Sequence, residues 1–236
     1  ERTVKEIASR TGNPNVEYFN ADFSSMAEIH RLSEELHKKH PKIDCLINNA
    51  GVYETRPRMS VDGFELTWAV NVVAPFLLTN LLLDLLQASK SARVINVSSI
   101  SQSEGGGVLD FHNLQHEKGY DAHSAYGLSK LAMVCFTYDL AGHLSPFDIT
   151  ANCLDPGTVN TKMLLAGWGR CGIEVGSANN EFNLATDPAF QQVTGKYFVG
   201  GRESRSCRVT YDEDKRKKLW AILEKQAGVN YSTSLA

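Results

Sequence analysis

Apolar and polar residues follow two different periods along this chain. Short runs that alternate, or that are continuously apolar, predict β-strands at residues 16–20, 43–47, 93–97 and 149–154. Longer stretches with apolar residues three and four positions apart predict α-helices at residues 4–10, 24–40, 63–86, 124–144 and 215–226. Strands that alternate with long helices are typical of βαβ units, so the pattern predicts an α/β fold with a parallel sheet.

The chain shows no internal division. Its 236 residues contain neither a repeat nor a linker-like segment, so we expect one domain over residues 1–236. The longest apolar run, residues 72–86, is interrupted by Pro75, Asn80 and Asp84. It is too short and too polar to span a bilayer and predicts a buried helix instead.

Composition narrows the functional class. Lys and Arg number 24 against 27 Asp and Glu, and hydrophobic residues make up 42%, which excludes a disordered tail and a basic nucleic-acid-binding surface. The cysteines are odd in number, scattered, and form no C-x-x-C pair: Cys45, Cys135, Cys153, Cys171 and Cys207. This pattern favours free thiols in a reducing compartment, and therefore a cytoplasmic location.

Polar and small residues follow the predicted strands, where the ligands of parallel sheets bind. Asp22 follows the first strand, although an Asp in that place is also a common helix N-cap. Asn49, Ala50 and Gly51 follow the second strand, and small residues there let the backbone approach a flat ligand. Ser99 follows the third strand, where its hydroxyl is placed to polarise a substrate oxygen.

Tyr126 and Lys130 lie one helical turn apart, on one face of a predicted helix. A nearby ammonium stabilises a phenolate, so this pair is suited to proton exchange with an alcohol or carbonyl oxygen. The alternative is a surface tyrosine beside a solvated lysine. Asn71 is a polar residue in an apolar helix, which indicates either a site residue or a hydrogen-bonded core asparagine.

Taken in order, these motifs resemble the short-chain dehydrogenase/reductase family over nearly the whole chain, and within it the retinol dehydrogenase branch. The branch resemblance rests on residues 71–83, 111–118 and 194–198 and on the 27-residue step from Ser99 to Tyr126. It implies a Rossmann-like doubly wound sheet. It also implies catalytic roles for four residues: Tyr126 as general acid/base, Lys130 lowering the pKa of Tyr126 and holding the nicotinamide ribose, Ser99 polarising the carbonyl, and Asn71 holding a relay water.

The same resemblance implies a set of cofactor contacts. Asp22 and Phe23 would hold the adenine, and the backbone of Asn49, Ala50 and Gly51 would line the adenosine. Val159 and Thr161 would hold the carboxamide, with Tyr126 and Lys130 beside the ribose. The family resemblance favours NADP, with NAD as the alternative.

The chain departs from the family pattern in two places. The opening strand, Gly-rich turn, helix and second strand of the family have no counterpart here, which predicts an N-terminally truncated chain. Residues 164–183, where the family shapes its substrate lid, are Gly-rich and polar, whereas retinol-handling relatives are more apolar there.

The leading hypothesis is therefore an NADP(H)-dependent oxidoreductase acting on a lipophilic alcohol, aldehyde or ketone. The alternatives are a catalytically inactive, truncated fold that acts through partners or is unstable, and, less favoured, a dehydratase or epimerase. The expected partner is a small alcohol or carbonyl compound. A homodimer through the helices at 63–86 and 124–144 is a further expectation, and membrane contact only through a missing N-terminus.

A metal site is not expected. His112 and His116 are four residues apart, which suits two ligands on one helix face, but no third ligand lies nearby in a fitting pattern.

Overall fold

A five-stranded sheet forms the centre of the computed structural model, which describes residues 2–235 except for the side chains at 105 and 233. The strands, in spatial order, are β1 (Cys45–Asn48), β2 (Arg93–Val97), β3 (Thr150–Asp155), β4 (Tyr197–Val199) and β5 (Arg202–Ser204). The first four run parallel, and β5 is antiparallel to β4. The predicted α/β class with a parallel sheet is therefore confirmed.

Helices connect and cover these strands. They are α1 (Arg2–Thr11), α2 (Met26–Lys39), α3 (Leu66–Trp68), α4 (Ala74–Leu81), α5 (Leu83–Gln87), α6 (Ala122–Leu144), α7 (Lys162–Gly167), α8 (Asn180–Thr186), α9 (Glu213–Ala227) and α10 (Tyr231–Ser234). The main core lies where α2, α4, α6 and α9 pack together on one face of the sheet. A smaller cluster, Ile95, Val97, Leu154, Leu184 and Phe198, lies on the other face beside α8.

Register aligns the ends of the parallel strands. Asn48 lies opposite Asn96, Asn96 opposite Cys153, and Cys153 opposite Tyr197. The Asn48 Nδ2 donates to the side-chain Oδ1 of Asn96 at 2.8 Å, and the Asn96 Nδ2 donates to the Thr137 hydroxyl of α6 at 2.9 Å. These buried amides tie β1, β2 and α6 together directly below the edge where the strands end.

The predicted strand at residues 16–20 is wrong. This segment pairs with no strand and instead runs beside α2, held by side-chain contacts. The Phe19 ring packs edge-on to His40 at 6.1 Å, Lys39 lies 4.9 Å from the same ring, and Glu17 binds Lys39. A strand needs a hydrogen-bonded neighbour, so alternation alone does not produce one.

The helix predicted at 63–86 is interrupted. A π-helix, Ala69–Val73, lies between α3 and α4, and Leu82 separates α4 from α5. Residues 66–86 are buried on nearly all sides, so the spacing of their apolar residues predicts neither the π-helix nor the break at Leu82. The segment after β2 forms a 3-10 helix, Ile100–Gly106, which ends at Gly107 in a left-handed conformation.

The C-terminal helix α9 packs across α4 and α6. Phe76, Phe136, Trp220 and Tyr231 form one aromatic cluster there, with ring centroids 4.7–5.9 Å apart. One face of α4 and α6 is thus covered from within the chain.

Within residues 2–235, no helix has the length and apolar character needed to cross a bilayer. The cysteines form no disulfide.

Candidate active site

The predicted site residues meet at the edge where the parallel strands end. Gly51 follows β1, Ser99 follows β2, and Pro156 follows β3. Helix α6 passes above this edge and contributes Tyr126 and Lys130. Its N-terminus is capped by Asp121, whose carboxylate accepts a hydrogen bond from the Ser124 amide at 2.8 Å.

Lys130 is held directly below Tyr126. Its Nζ lies 5.5 Å from the centroid of the Tyr126 ring and donates to the carbonyl oxygen of Val97 at 2.9 Å. Both side chains are buried, at 7% and 3% exposure. The alternative of a surface tyrosine beside a solvated lysine is therefore excluded.

Burial shifts both of their pKa values. It raises the pKa of Tyr126 to about 12, with a hydrogen bond from Ser99 acting in the opposite direction and the Asp155 and Glu104 carboxylates adding to the rise. It lowers the pKa of Lys130 to about 8, a fall that the negative charge of Asp155 opposes. The Tyr126 shift is opposite to the one expected from Lys130, because desolvation of the phenolate dominates. Tyr126 is thus a protonated phenol at neutral pH.

The two serines after β2 have different roles. Ser98 is buried, and its hydroxyl donates to the carbonyl oxygen of Lys130 at 2.8 Å, which anchors α6 to the strand. Ser99 is only half-buried, and its Oγ accepts from the Ser101 amide at 3.1 Å. That bond leaves the Ser99 proton available to a second acceptor beside Tyr126.

Asn71 lies in the π-helix and is completely buried. Its Oδ1 accepts from the Val52 amide at 2.8 Å, and its Nδ2 donates to the Val52 carbonyl at 3.0 Å and to Ser129 Oγ at 3.0 Å. Ser129 in turn donates to the carbonyl oxygen of Tyr126 at 2.7 Å. The side chain thus joins the loop after β1 to α6 and is fully hydrogen-bonded, and the role of Asn71 in holding a relay water stays a prediction.

Gly51 lies tightly against these side chains. A Cβ at this position would come within 3.2 Å of Asn71 Oδ1 and 3.5 Å of Lys130 Nζ. An alanine here would require Asn71 Oδ1 to shift by a few tenths of an ångström, so glycine suits this close approach. The preceding residues, Asn49 and Ala50, are exposed, so their backbone is accessible to a ligand.

The other predicted cofactor residues lie around the same edge or away from it. Val159 is buried and bridges to Ile173, and Thr161 caps α7 by accepting from the Leu164 amide at 3.3 Å. Asp22 is exposed before α2 and accepts from the amide and hydroxyl of Ser24 at 2.9 and 2.7 Å. Ser25, not Asp22, is the N-cap of α2. Phe23 packs against the main core.

Aromatic side chains that the sequence did not single out surround Tyr126. The Tyr53 ring lies 5.8 Å from Tyr126 and 4.8 Å from Trp168, and Trp168 lies 5.5 Å from Tyr126. His123 packs against both Tyr53 and Trp168. Tyr53 lies two positions after Gly51, and Trp168 lies within residues 164–183, the segment expected to shape the substrate lid. Their positions in the sequence are therefore the signal that could have identified them.

No cluster of three or more His, Cys, Asp or Glu side chains among the described residues is arranged to hold a metal ion. His112 lies in a turn and His116 in an irregular segment with a backbone φ of 54°, so neither is on a helix.

Comparison with protein families gives one match, the short chain dehydrogenase model, over residues 1–167. Among individual proteins, the chain is 33% identical to retinol dehydrogenase 13 of Mus musculus, over 97% of this chain and 73% of that protein. It is 35% identical to human polyprenol dehydrogenase, over 97% and 74%, and 33% identical to human retinol dehydrogenase 14, over 88% and 66%.

Solved structures give the same picture of the fold. An uncharacterised protein from Mycobacterium paratuberculosis superposes with a TM-score of 0.71 at 26% identity, over 96% of this chain and 81% of that one. The NADP active-site complex of RhlG from Pseudomonas aeruginosa superposes with a TM-score of 0.64 at 28% identity, over 83% and 80%.

Proposed function

The chain belongs to the short-chain dehydrogenase family and to its retinol dehydrogenase-like branch, and from that premise we propose that it reduces a lipophilic aldehyde or ketone with NADPH, or catalyses the reverse oxidation. The observation that carries the proposal is that three groups lie together where the parallel strands end: the Tyr126 phenol, the Ser99 hydroxyl and the Lys130 ammonium.

The residues present fit a nicotinamide cofactor. An ammonium has three N–H donors, and the Val97 bond uses one of them, so Lys130 retains donors for ribose hydroxyls. Gly51 leaves backbone beside Lys130 free for close approach, and Asn49 and Ala50 extend that exposed backbone. Val159 and Thr161, after β3, would contact the carboxamide, and Asp22 and Phe23 the adenine. NADP is the proposed form because the relative RhlG was solved with NADP.

The side chains supply the proton step. When bound, NADPH supplies the hydride that reaches the carbonyl carbon. The Tyr126 O–H bond breaks, and its proton passes to the carbonyl oxygen, so the product is a neutral alcohol. Ser99 donates a hydrogen bond to that oxygen as negative charge develops on it. Since burial keeps Tyr126 protonated at neutral pH, the site is best prepared for reduction.

The aromatic side chains give the substrate side its character. Tyr53 and Trp168 pack against Tyr126 and against each other, so a substrate carbonyl that reaches the phenol lies beside apolar ring surface. This supports a lipophilic substrate, in spite of the polar sequence around it at 164–183. The relatives named above act, by their names, on retinol and polyprenol.

The experiment is reduction of medium-chain and polyunsaturated aldehydes with NADPH, with nucleotide binding measured by calorimetry. We expect Tyr126→Phe to lower kcat by about a thousandfold or more, since general acid catalysis supplies roughly 10²–10⁴ in rate, with an unchanged thermal transition. The matched control is Tyr138→Phe, because Tyr138 is a half-buried phenol on the same helix that binds Ser206 instead. Normal turnover in Tyr126→Phe would refute the proton role. If the wild type shows no nucleotide binding and no turnover, the result would support the inactive fold instead.

A further inference from the structure

A buried carboxylate next to the site has no part in the chemistry described so far. Asp155, the last residue of β3, is 5% exposed. A buried carboxylate is costly unless its oxygens accept hydrogen bonds, so its partners indicate what it does.

Its two oxygens bind two different loops. Oδ2 accepts from the Ile100 amide at 2.8 Å, and Oδ1 accepts from the Gly157 amide at 2.9 Å. Ile100 directly follows Ser99, and Gly157 begins the loop that leads to Val159. One carboxylate therefore connects the loop that carries the Ser99 hydroxyl to the loop proposed to hold the carboxamide.

The same carboxylate lies beside the Lys130 and Tyr126 pair. The residue before it, Leu154, pairs in the sheet with Val97, whose carbonyl oxygen holds the Lys130 ammonium. Burial is the main cause of the pKa shifts of Lys130, Tyr126 and Tyr197. The charge of Asp155 opposes the fall in the pKa of Lys130 and adds to the rise in the pKa of Tyr126 and of Tyr197. Glu104, from the 3-10 helix, also acts on Tyr126, and the rings of Tyr53 and Trp168 pack against Tyr126.

We propose that Asp155 is a positioning residue, whose carboxylate connects the Ser99 loop to the Gly157 loop and supplies the negative charge that balances the buried Lys130 ammonium. The assignment rests on the proposed function, because it gives meaning to the positions of Ser99 and Lys130. The Asp155 carboxylate attracts the Lys130 ammonium and repels the Tyr126 phenolate. Removal of its charge therefore makes the ammonium less stable and the phenolate more stable. Both Lys130 and Tyr126 then titrate at lower pH.

The test compares Asp155→Asn and Asp155→Ser with Asp187→Asn. Asp187 is the matched control, because it is an exposed carboxylate that also accepts from the amide two residues on, that of Ala189 at 2.8 Å. Lysine side-chain NMR, with Lys130 assigned from Lys130→Met, follows the titration without any need for turnover. We expect the Lys130 midpoint to fall by about one pH unit in both Asp155 variants and to stay in place in Asp187→Asn. An unchanged midpoint in a folded Asp155 variant would overturn the charge role.

Amide hydrogen exchange tests the connecting role separately. Asp155→Ser should speed exchange at Ile100 and Gly157 by about tenfold or more, since a hydrogen bond to a charged acceptor contributes roughly 1.5–3 kcal/mol. Equal exchange at both amides in all variants would overturn that role. Where the wild type turns over, the pH profile of kcat in Asp155→Asn should move to lower pH together with the NMR midpoint. Absence of wild-type turnover would refute the proposed function, while the NMR and exchange data would still decide the role of Asp155.

Discussion

Lys130 is a buried amine, and the cost of removing its charge from water exceeds the favourable effect of the Asp155 charge. Its pKa falls to about 8 because folding removes the ammonium from water. The folded protein therefore holds fewer protons than the unfolded chain between about pH 8 and 10.5, and the linkage relation makes stability rise with pH across that window. The site residue thus lowers the stability of the fold at neutral pH.

Lys130→Met removes that penalty. We compare the unfolding free energy of the variant with that of the wild type at each pH. We expect the difference in favour of the variant to be about 3 kcal/mol larger at pH 7 than at pH 10.5. The loss of the bond to Val97 subtracts an amount that does not depend on pH. Urea unfolding of both proteins at several pH values measures the difference, and the exposed Lys38→Met is the control. A difference that is the same at pH 7 and pH 10.5 would contradict the prediction.

Sequence reasoning found the chemical residues of the site but not their supports. Tyr126, Lys130, Ser99 and Gly51 were predicted from motif spacing and strand ends, and the structure brings all four together. Asp155 was not assigned a role, because an Asp before Pro-Gly looks like ordinary turn chemistry and only the tertiary fold brings the Ile100 amide to it. Burial of Tyr126 likewise depends on Trp168, 42 positions away in the chain.

The π-helix Ala69–Val73 holds the loop after β1 in place. It contains Asn71, whose side chain clamps both backbone groups of Val52 and also binds Ser129. The backbone of residues 49–52 is thus held against α6 by a single amide. A helical irregularity that presents a buried polar group in this way is a frequent feature of functional sites.

Asn71→Ala should remove all three bonds. We expect a loss of about 3 kcal/mol in unfolding free energy, at roughly 1 kcal/mol for each bond, and faster amide exchange at Val52. Denaturant unfolding and exchange NMR measure the two effects. The control is Asn80→Ala, a buried asparagine of α4 whose Oδ1 accepts a longer bond, 3.3 Å, from Ser234. Equal losses in the two variants would mean that the Val52 clamp has no special weight.

Other elements show where pattern reading ends. The strand at 93–97 was predicted with its correct bounds, because the β-branched residues Val94, Ile95 and Val97 favour an extended backbone. The hairpin of β4 and β5 was missed, although Gly200 and Gly201, with φ of 57° and 74°, carry the two-residue turn signal. Its strands have three residues each, too short for a periodicity to show.

Helix α9, near the C-terminus, packs over α4 and α6. Residues 215–218 of α9 are all basic, and the exposed Lys217 pairs with Glu213 at 2.7 Å. Arg216 instead turns inward and binds Asp139 of α6 at 2.7 Å and the Thr210 carbonyl at 2.9 Å. Arg216 thus anchors α9 to α6. Which of the four basic residues does so is decided by tertiary packing and cannot be seen in the sequence.

Trp220→Ala should loosen this closure. Trp220 packs against Phe76, Phe136 and Tyr231, so we expect a loss of about 3–5 kcal/mol. The exposed apolar face of α4 and α6 should then promote self-association, which analytical ultracentrifugation detects. The exposed α9 variant Lys217→Ala is the control. A variant that is destabilised but sediments like the wild type would show that the covered face has no tendency to pair.

The three tryptophans occupy three separate parts of the molecule. Trp68 donates to Gln226 at 2.9 Å beneath α9, Trp220 stacks on His143 at 4.4 Å, and Trp168 lies against Tyr126. Reduced nicotinamide absorbs light at the wavelengths where indole emits, so energy transfer would quench Trp168 most strongly because it is nearest the site. With Trp68 and Trp220 replaced by Phe, the fluorescence of this chain would become an optical signal of ligand arrival at one place.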